Sequence, residues 1–553
     1  MLSSARLFVL FLFGLLLLNV LSAFVYSRID LTADARYTLS DGTRTLLENL
    51  PQPVHIDVFL TGNLPPGFKR LETAIRENLE ESEAIAGANL SYRFVDPLLG
   101  TKAEQEKRLI RLAELGLQPT NLFANEGGTR TEQLIVPGAV VSYAGKQVGV
   151  LLLKGNKDAT PAEQLNQSYE GVEYQLASAI RRITQPVGSR RRVGLLFGHT
   201  QVSPERFSDL LATVQETYDL FFADLGKPGP LTDLDALLVL KPDRPFSEQE
   251  VYKLDQYVVN GGHALFFVDG QRVDSVSRDG TFAQPLNLGL NDLFFRWGAR
   301  VNQNVIKDLS CAVIPMDVGN LGDKPNIQLV PWRFYPVLNS FGNSPITRNL
   351  DRLYGRFIST LDTVQAPGIQ KTMLVQTSPY TSVLKVPALI AYNEARQQPD
   401  PKTYTSGTRL VSALFEGSFT SVFANQLLPD SLMKTFRATG KPGGVLICAD
   451  GDLVVNDVDY KRKTPLPLGY DRFTRTQFAN KDFVLNAIDY LTDPNGVIAA
   501  RARVVPLRPL DGIRVKAERT YWQGLNVLGP LALVAFAGLC WTVIRRRKYG
   551  QNA

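Results

Sequence analysis

LDALLVLKPDRPFSEQEVYKLDQYVVNGGHALFFVDG, residues 234–270, reads as strand, helix, strand. LDALLVLKP (234–242) is an apolar run without alternation, the pattern of a parallel strand buried on both faces. FSEQEVYKLDQYVVNGG (246–262) has the spacing of a capped helix stopped by Gly261-Gly262, and HALFFVDG (263–270) is the next strand. Upstream, RRRVGLLFGH (190–199) supplies another strand, followed by a Pro-started helix (204–217) and a short strand, YDLFFAD (218–224). Strands alternating with helices at this spacing predict a doubly wound α/β sheet. Downstream, 300–440 is irregular and reads as an insertion or β-rich extension. GGVLICADGDLVVN (443–456) and the helix NKDFVLNAIDYLTD (480–493) then complete a domain over 190–493.

Residues 51–155 follow a second pattern. VHIDVFL (54–60) alternates like a strand, 65–85 is helical with prolines at its start, NLSYRFVDP (89–97) is a strand and 102–115 a helix. QLIVPGAVVSY (133–143) and KQVGVLLLK (146–154) predict a hairpin around Ala144-Gly145. This β-α-β-α-β-β order is similar to the thioredoxin fold, with Pro137 where that fold places a cis-proline. No Cys-x-x-Cys follows the first strand; Thr61-Gly62-Asn63-Leu64-Pro65 stands there, so thiol exchange is excluded. A connecting segment, 156–189, carries an amphipathic helix over 162–183.

The ends carry a different signal. Leu7–Tyr26 and Leu525–Ile544 are each twenty residues long and free of charge, long enough to cross about 30 Å of hydrocarbon as helices. The chain has 553 residues, with 60 Lys+Arg against 54 Asp+Glu and a net charge of +6. Arg6, Arg545, Arg546, Arg547 and Lys548 flank the two segments, and 7–544 holds 55 cations against 54 anions. The basic balance is therefore a topology signal, with tails 1–6 and 545–553 cytoplasmic and 27–524 outside. It gives no support to a nucleic-acid partner. Residues 27–50 read as a stalk followed by a short helix that Ser40 or Asp41 could cap, and 494–524 as the stalk returning to the second span.

Motifs for catalysis are absent. There is no G-x-x-x-x-G-K-[ST], no H-E-x-x-H and no G-x-S-x-G, and three cysteines exclude a four-cysteine zinc module. No cofactor is expected. One candidate ligand edge remains, at the carboxyl ends of the α/β strands: His199 after VGLLF, and Asp450, Asp452 and Asn456 after GGVLIC. The acids there offer oxygen ligands for a hard cation, without EF-hand spacing; a simple turn is the competing reading at both places. His55 and His263 read as structural. Cys311 and Cys448 lie where oxidation is permitted, and a bridge between them is one alternative to two free thiols.

The order of these pieces resembles the GldG-type auxiliary subunits of the gliding-motility ABC transporter of Bacteroidetes. The residues carrying it are RIDLTADARYTLSDGTRTLL (28–47), VHIDVFLTGNLPPGF (54–68), LFGH (196–199), CAVIP (311–315), PWRFYP (331–336) and TSPYTS (377–382). That family often continues its first α/β strand as G-H-G-E, whereas this chain has Gly198-His199-Thr200-Gln201. The α/β region of such proteins is similar to class I glutamine-amidotransferase-like domains, a flavodoxin-like arrangement whose nucleophilic Cys follows a central strand. HALFFVDGQ (263–271) has no Cys at that place, so no acyl intermediate can form there. The resemblance implies a non-enzymatic inner-membrane subunit with a periplasmic body, partnered by a permease and a cytoplasmic ATPase. A periplasmic receptor for a ligand or glycan, or a carboxylate-dependent hydrolase, are the alternatives.

Overall fold

The computed structural model describes residues 8, 11–17, 38–502 and 512–549, apart from 63, 127–128, 187, 228–230, 232, 274, 278–279, 322–323, 427–434, 460 and 494–495. The chain divides into one unit over Met1–Val504 and another over Val505–Ala553. Of the first apolar segment, residues 8 and 11–17 are helical and exposed; the rest of it, Arg6 and residues 27–37 lie outside the described residues.

In the first unit, α1 (Asp41–Glu48) is capped by Ser40, whose hydroxyl accepts from the Thr43 amide. Then come β1 (Val54–Val58), α2 (Pro66–Ala86), β2 (Leu90–Phe94), α3 (Lys102–Glu114), β3 (Thr120–Glu126), β4 (Thr129–Ile135), β5 (Gly138–Tyr143) and β6 (Lys146–Leu151). Alternation in VHIDV buries Val54, Ile56 and Val58 completely while His55 and Asp57 stay near the surface. The sheet runs β2-β1-β5-β6, with β1 parallel to β2 and antiparallel to β5. β5 and β6 join through Ala144 and Gly145, at φ 46° and 78°, the left-handed pair that a two-residue hairpin turn uses.

Three expectations are corrected here. Residues 133–135 do not open that hairpin; they close β4, which pairs with β3 as a separate two-stranded ribbon. Val136–Pro137 is trans, the cis bond among the described residues being Val386–Pro387; the Pro137 carbonyl accepts from the Leu152 amide at 2.9 Å. Residues 38–50 are not stalk, because Leu39, Leu47 and Leu50 are buried in the same core as β1 and β5.

α4 (Pro161–Thr184) begins at Thr160 in a capping box with Glu163 and places Val172, Leu176, Ala179 and Ile180 against this sheet. The second sheet then forms from β7 (Arg192–Leu196), α5 (Ser208–Thr217), β8 (Asp219–Ala223), β9 (Ala236–Leu240), α6 (Glu248–Val259) and β10 (His263–Phe267). A long hairpin, β11 (Cys311–Leu321) and β12 (Lys324–Leu338), precedes β13 (Ser340–Phe341), β14 (Ile369–Gln376), β15 (Leu410–Thr420), β16 (Thr439–Cys448) and α7 (Asn480–Thr492). The eight-stranded order is β13-β14-β15-β16-β10-β9-β7-β8.

Five of these strands, β8-β7-β9-β10-β16, are parallel, and in chain order they run 2-1-3-4-5. Such an order reverses direction between β7 and β9, the switch point of a doubly wound sheet. The region 300–440, expected as an insertion or β-rich extension, extends the sheet: β15 pairs antiparallel with β16, β14 with β15, and β13 with β14. A glycine within β15 interrupts the apolar pattern there. Gly417, at φ 142°, lies where a Cβ would come within 2.1 Å of the Gly368 carbonyl oxygen.

Apolar layers cover both faces, one formed with α5 and α7 and the other with α6, Phe294 and Trp297. α4 also joins the two sheets: Arg181 pairs with Asp489 of α7 at 2.5 Å, and the Tyr174 and Tyr218 hydroxyls donate to the same carboxylate. Residues 496–502, expected in the returning stalk, belong to this body; Ile498 and Ala500 are buried and Arg501 donates to the Pro345 and Arg348 carbonyls. In the second unit α8 (Gly512–Tyr549) is one helix with Pro530 inside it. Arg514–Arg547 is long and apolar enough to cross a membrane. Arg545, Arg546 and Arg547 are exposed at its end; the side chain of Lys548 lies outside the described residues.

Candidate functional site

The carboxyl ends of β9, β10 and β16 bring three short polar segments together. Lys241 follows β9 with φ 42°, a left-handed conformation uncommon for any residue that carries a Cβ. Its ammonium donates to Asp269 Oδ2 at 2.9 Å and to Asp452 Oδ2 at 2.6 Å. Asp269 Oδ1 accepts from the Gly451 amide at 2.7 Å. Asp450 Oδ1 accepts from the Asp452 amide at 2.9 Å, and its Oδ2 from the Arg356 amide at 3.2 Å.

Burial dominates the electrostatics. It pushes the Asp269 carboxyl above its ordinary range, although the Lys241 ammonium pulls the other way. Asp450, fully buried, is raised further by burial and by the negative charges of Asp452 and Asp269. Burial disfavours the charged lysine, yet Asp269 and Asp452 more than offset it and hold Lys241 above its usual value. A protonated lysine is no nucleophile, so Schiff-base chemistry has no support here.

A second charged group comes from the region 300–440. Arg356 donates twice to Asp457, at 3.0 and 2.7 Å, and its Cζ lies 4.9 Å from the Tyr354 ring centroid and 5.5 Å from that of Tyr335. Burial opposes ionisation of Asp457, but the Arg356 hydrogen bonds win and its carboxyl is held below the usual range. Arg206 Nη2 lies 3.6 Å from the same carboxylate. Lys241, Asp269, Asp452, Arg206, Tyr335 and Arg356 line a cavity of about 360 Å³ that also includes Asp243, Gln271, Arg272 and Phe357. Phe357, like Lys241, has a left-handed backbone, at φ 50°.

Of the residues expected at this edge, Asp450 and Asp452 come together and Asp452 lines the cavity. The other two are used elsewhere. The His199 ring stacks on Phe246 with centroids 3.9 Å apart, and its Nε2 is 3.0 Å from Glu250, which also completes the cap of α6 with Ser247. Asn456 is buried and its amide donates to the Glu205 and Asp457 carbonyls. Oxygens of Asp269, Asp450 and Asp452 lie within 4.8 Å of one another, a set able to ligate a hard cation. The Lys241 ammonium, however, already stands against two of the three.

Lys241, Asp269 and Arg356 were not singled out in the sequence. Lys241 and Asp269 sit within two residues of strand ends already read as such; Arg356 gave no signal. Cys311 and Cys448 are both free thiols, and Cys448, buried at the end of β16, has its thiol pushed up by burial.

A family model described as an ABC-type uncharacterized transport system matches residues 190–487. A second, a domain of unknown function, matches residues 33–142. Among solved structures, one titled the mmIFT52 N-terminal domain is 12% identical, with a TM-score of 0.30, over 55% of this chain and 97% of its own. A putative ThuA-like protein from Parabacteroides merdae is 10% identical, with a TM-score of 0.25, over 58% of this chain and 94% of its own. No curated protein matches the chain.

Proposed function

The chain belongs to the family of ABC-type uncharacterized transport systems, and from that membership we propose a non-catalytic accessory subunit, anchored in the membrane beside a permease and a separate ATPase. The observation that carries the anchoring is α8, whose segment Arg514–Arg547 contains a stretch long and apolar enough to cross a membrane, none of it buried. In this reading 525–544 and 7–26 span the inner membrane, Arg6 and Arg545 to Lys548 stay cytoplasmic, and 27–524 face the periplasm. Residues 51–155, with the sheet order β2-β1-β5-β6, then form a thioredoxin-like domain that has lost its cysteines. The two anchors would pass ATP-driven motion of the permease to the exterior body. The GldG-type residues quoted above connect that motion to gliding motility. The test is copurification: an extract of the tagged chain in mild detergent should carry both a permease and an ATPase, and recovery of the chain alone refutes the proposal.

A second reading has its own observation. The cavity beyond β9 and β10 contains both left-handed residues Lys241 and Phe357, and backbone strain of this kind persists where a site requires it. The body would then be a ligand receptor whose cargo or signal is read at the carboxyl edge.

A further inference from the structure

We propose that a second cavity, beside β13, binds the main chain of an extended, uncharged polypeptide segment supplied by a partner protein. It shares no lining residue with the carboxyl-edge cavity, so the proposal goes beyond both readings above. Its volume is about 310 Å³, and four of the side chains lining it are carboxamides, those of Asn156, Gln167, Asn343 and Asn349. A carboxamide carries the same N–H donor and C=O acceptor as a peptide group and can meet one with two hydrogen bonds. Arg348 is the one ionisable side chain in this lining, and it is paired with Glu170 at 3.4 Å.

Part of this hydrogen-bonding capacity is unspent among the described residues. Gln167 Oε1 accepts from the Asn156 amide at 2.7 Å, while its Nε2 has no partner. Asn349 Nδ2 donates to Glu170 at 2.9 Å, while its Oδ1 has none. Asn343 is exposed, and its carboxamide makes no hydrogen bond. None of these atoms is sealed from water. The backbone supplies an independent set. β13 ends the eight-stranded sheet, so no strand follows on its outer side. Ser340 stands opposite Gln376 and Phe341 opposite Val375 of β14, and the Gly342 amide donates inward to the Leu374 carbonyl at 2.9 Å. Successive residues of a strand turn their N–H and C=O groups to opposite sides. Phe341, which lines the cavity, therefore turns its own pair away from β14. An extended segment laid there joins the sheet as a further strand, and the carboxamides meet its remaining peptide groups.

Other ligand classes satisfy only part of this lining. A charged ligand finds no uncompensated countercharge in it. A neutral sugar can use the carboxamides but leaves the strand edge at Phe341 unpaired. Main-chain recognition tolerates many sequences, because every residue except proline offers the same N–H and C=O, so a generic uncharged peptide is the right probe.

The experiment is calorimetric titration of the full chain in detergent with a tetrapeptide of alternating threonine and valine, capped at both ends. Its analogue with N-methylated valines, a capped tetraglutamate and maltotriose run alongside at equal concentration. The capped peptide should bind. N-methylation, Asn343→Ala and Gln167→Glu should each weaken it about fivefold or more, the loss of one hydrogen bond. Asn343 holds no other group, and its variant should melt at the wild-type temperature, which separates lost binding from lost folding. Gln167→Glu keeps the Oε1 that accepts from Asn156. Equal binding of the N-methylated analogue overturns main-chain recognition. Tighter binding of maltotriose or tetraglutamate overturns the ligand class. No binding of the capped peptide, or an affinity unchanged in both variants, overturns the site.

Discussion

Replacing Lys241 by Met tests whether one ammonium compensates the acidic ends of β10 and β16. The substitution keeps most of the side-chain volume and removes the charge, leaving Asp269 and Asp452 facing each other. Their side chains are 9% and 17% exposed, so water relieves little of the repulsion. Breaking a buried pair by removing one partner costs about 3–5 kcal/mol. The pH dependence follows from the raised carboxyls of Asp269 and Asp450. A folded-state pKa above the unfolded value makes the native chain bind more protons, so stability is present at acid pH and falls as pH rises through the folded pKa. Without Lys241 those carboxyls rise further. The deficit of the variant should therefore be larger at pH 8 than at pH 5, by up to about 1.4 kcal/mol per pH unit for one additional bound proton. Urea unfolding of the full chain in detergent, followed by fluorescence of the buried Trp297 and Trp332, measures both. Adding Asp452→Asn to the variant should recover part of the loss. A deficit below about 1 kcal/mol, or one equal at the two pH values, refutes the assignment of Lys241 as the compensating charge.

Gly42→Ala should destabilise the body by about 1–3 kcal/mol, because a Cβ there meets the Gly496 carbonyl carbon at 2.2 Å; an unchanged urea midpoint would contradict the packing of 38–50 against 496–502. Arg181→Met leaves Asp489 with tyrosine hydroxyls alone and should cost about 3–5 kcal/mol, much of it regained in the double variant with Asp489→Leu. A double variant no better than the single would sink that account. Non-reducing mass mapping should find Cys311 and Cys448 unpaired. Burial holds the Cys311 thiol at about 11, so about one in a thousand is ionised at pH 8 and its native alkylation should be slow beside that of the unfolded chain; equal rates would contradict this.

The elements most legible in sequence were those whose burial is uniform. ALLVL is buried end to end, and HALFF at every position after His263, and only strands with both faces covered read that way. VHIDV was legible for the opposite reason, its strict alternation. The strands β14 and β15 were not, since neither IQKTMLVQ nor LVSALFEGSFT is uniformly buried or strictly alternating, and register shifts between them and Gly417 interrupt the pattern. The helical start of α8 was hidden as well. Residues 512–524 are polar enough to pass for a loop, yet Arg514 pairs with Glu518 at 3.0 Å and Trp522 donates to Glu518 at 2.8 Å, the i,i+4 contacts that support a solvated helix.

The site was half visible, and the reason lies in register. Leu240, Phe267 and Cys448 are cross-strand partners on β9, β10 and β16. Whatever follows each by one or two residues must arrive at the same edge, and those residues are Lys241, Asp269 and Asp450. A charge within two positions of the end of an apolar strand was therefore the usable signal, once the strands were known to be parallel neighbours. Asp450 was noticed because a second acid follows it; Lys241 and Asp269 stand alone within the runs LDALLVLKP and HALFFVDG that read as strands. His199, three residues past the end of β7, also stands at this edge and still failed, because the Glu250 carboxylate at the start of α6 holds its imidazole. Strand-end position selects candidates, and the groups on the adjoining helix decide which of them face the cavity. Arg356 obeys neither rule. It reaches Asp457 from a segment between β13 and β14, and only the path of the chain across the sheet edge brings a second arginine to the carboxylate that Arg206 approaches.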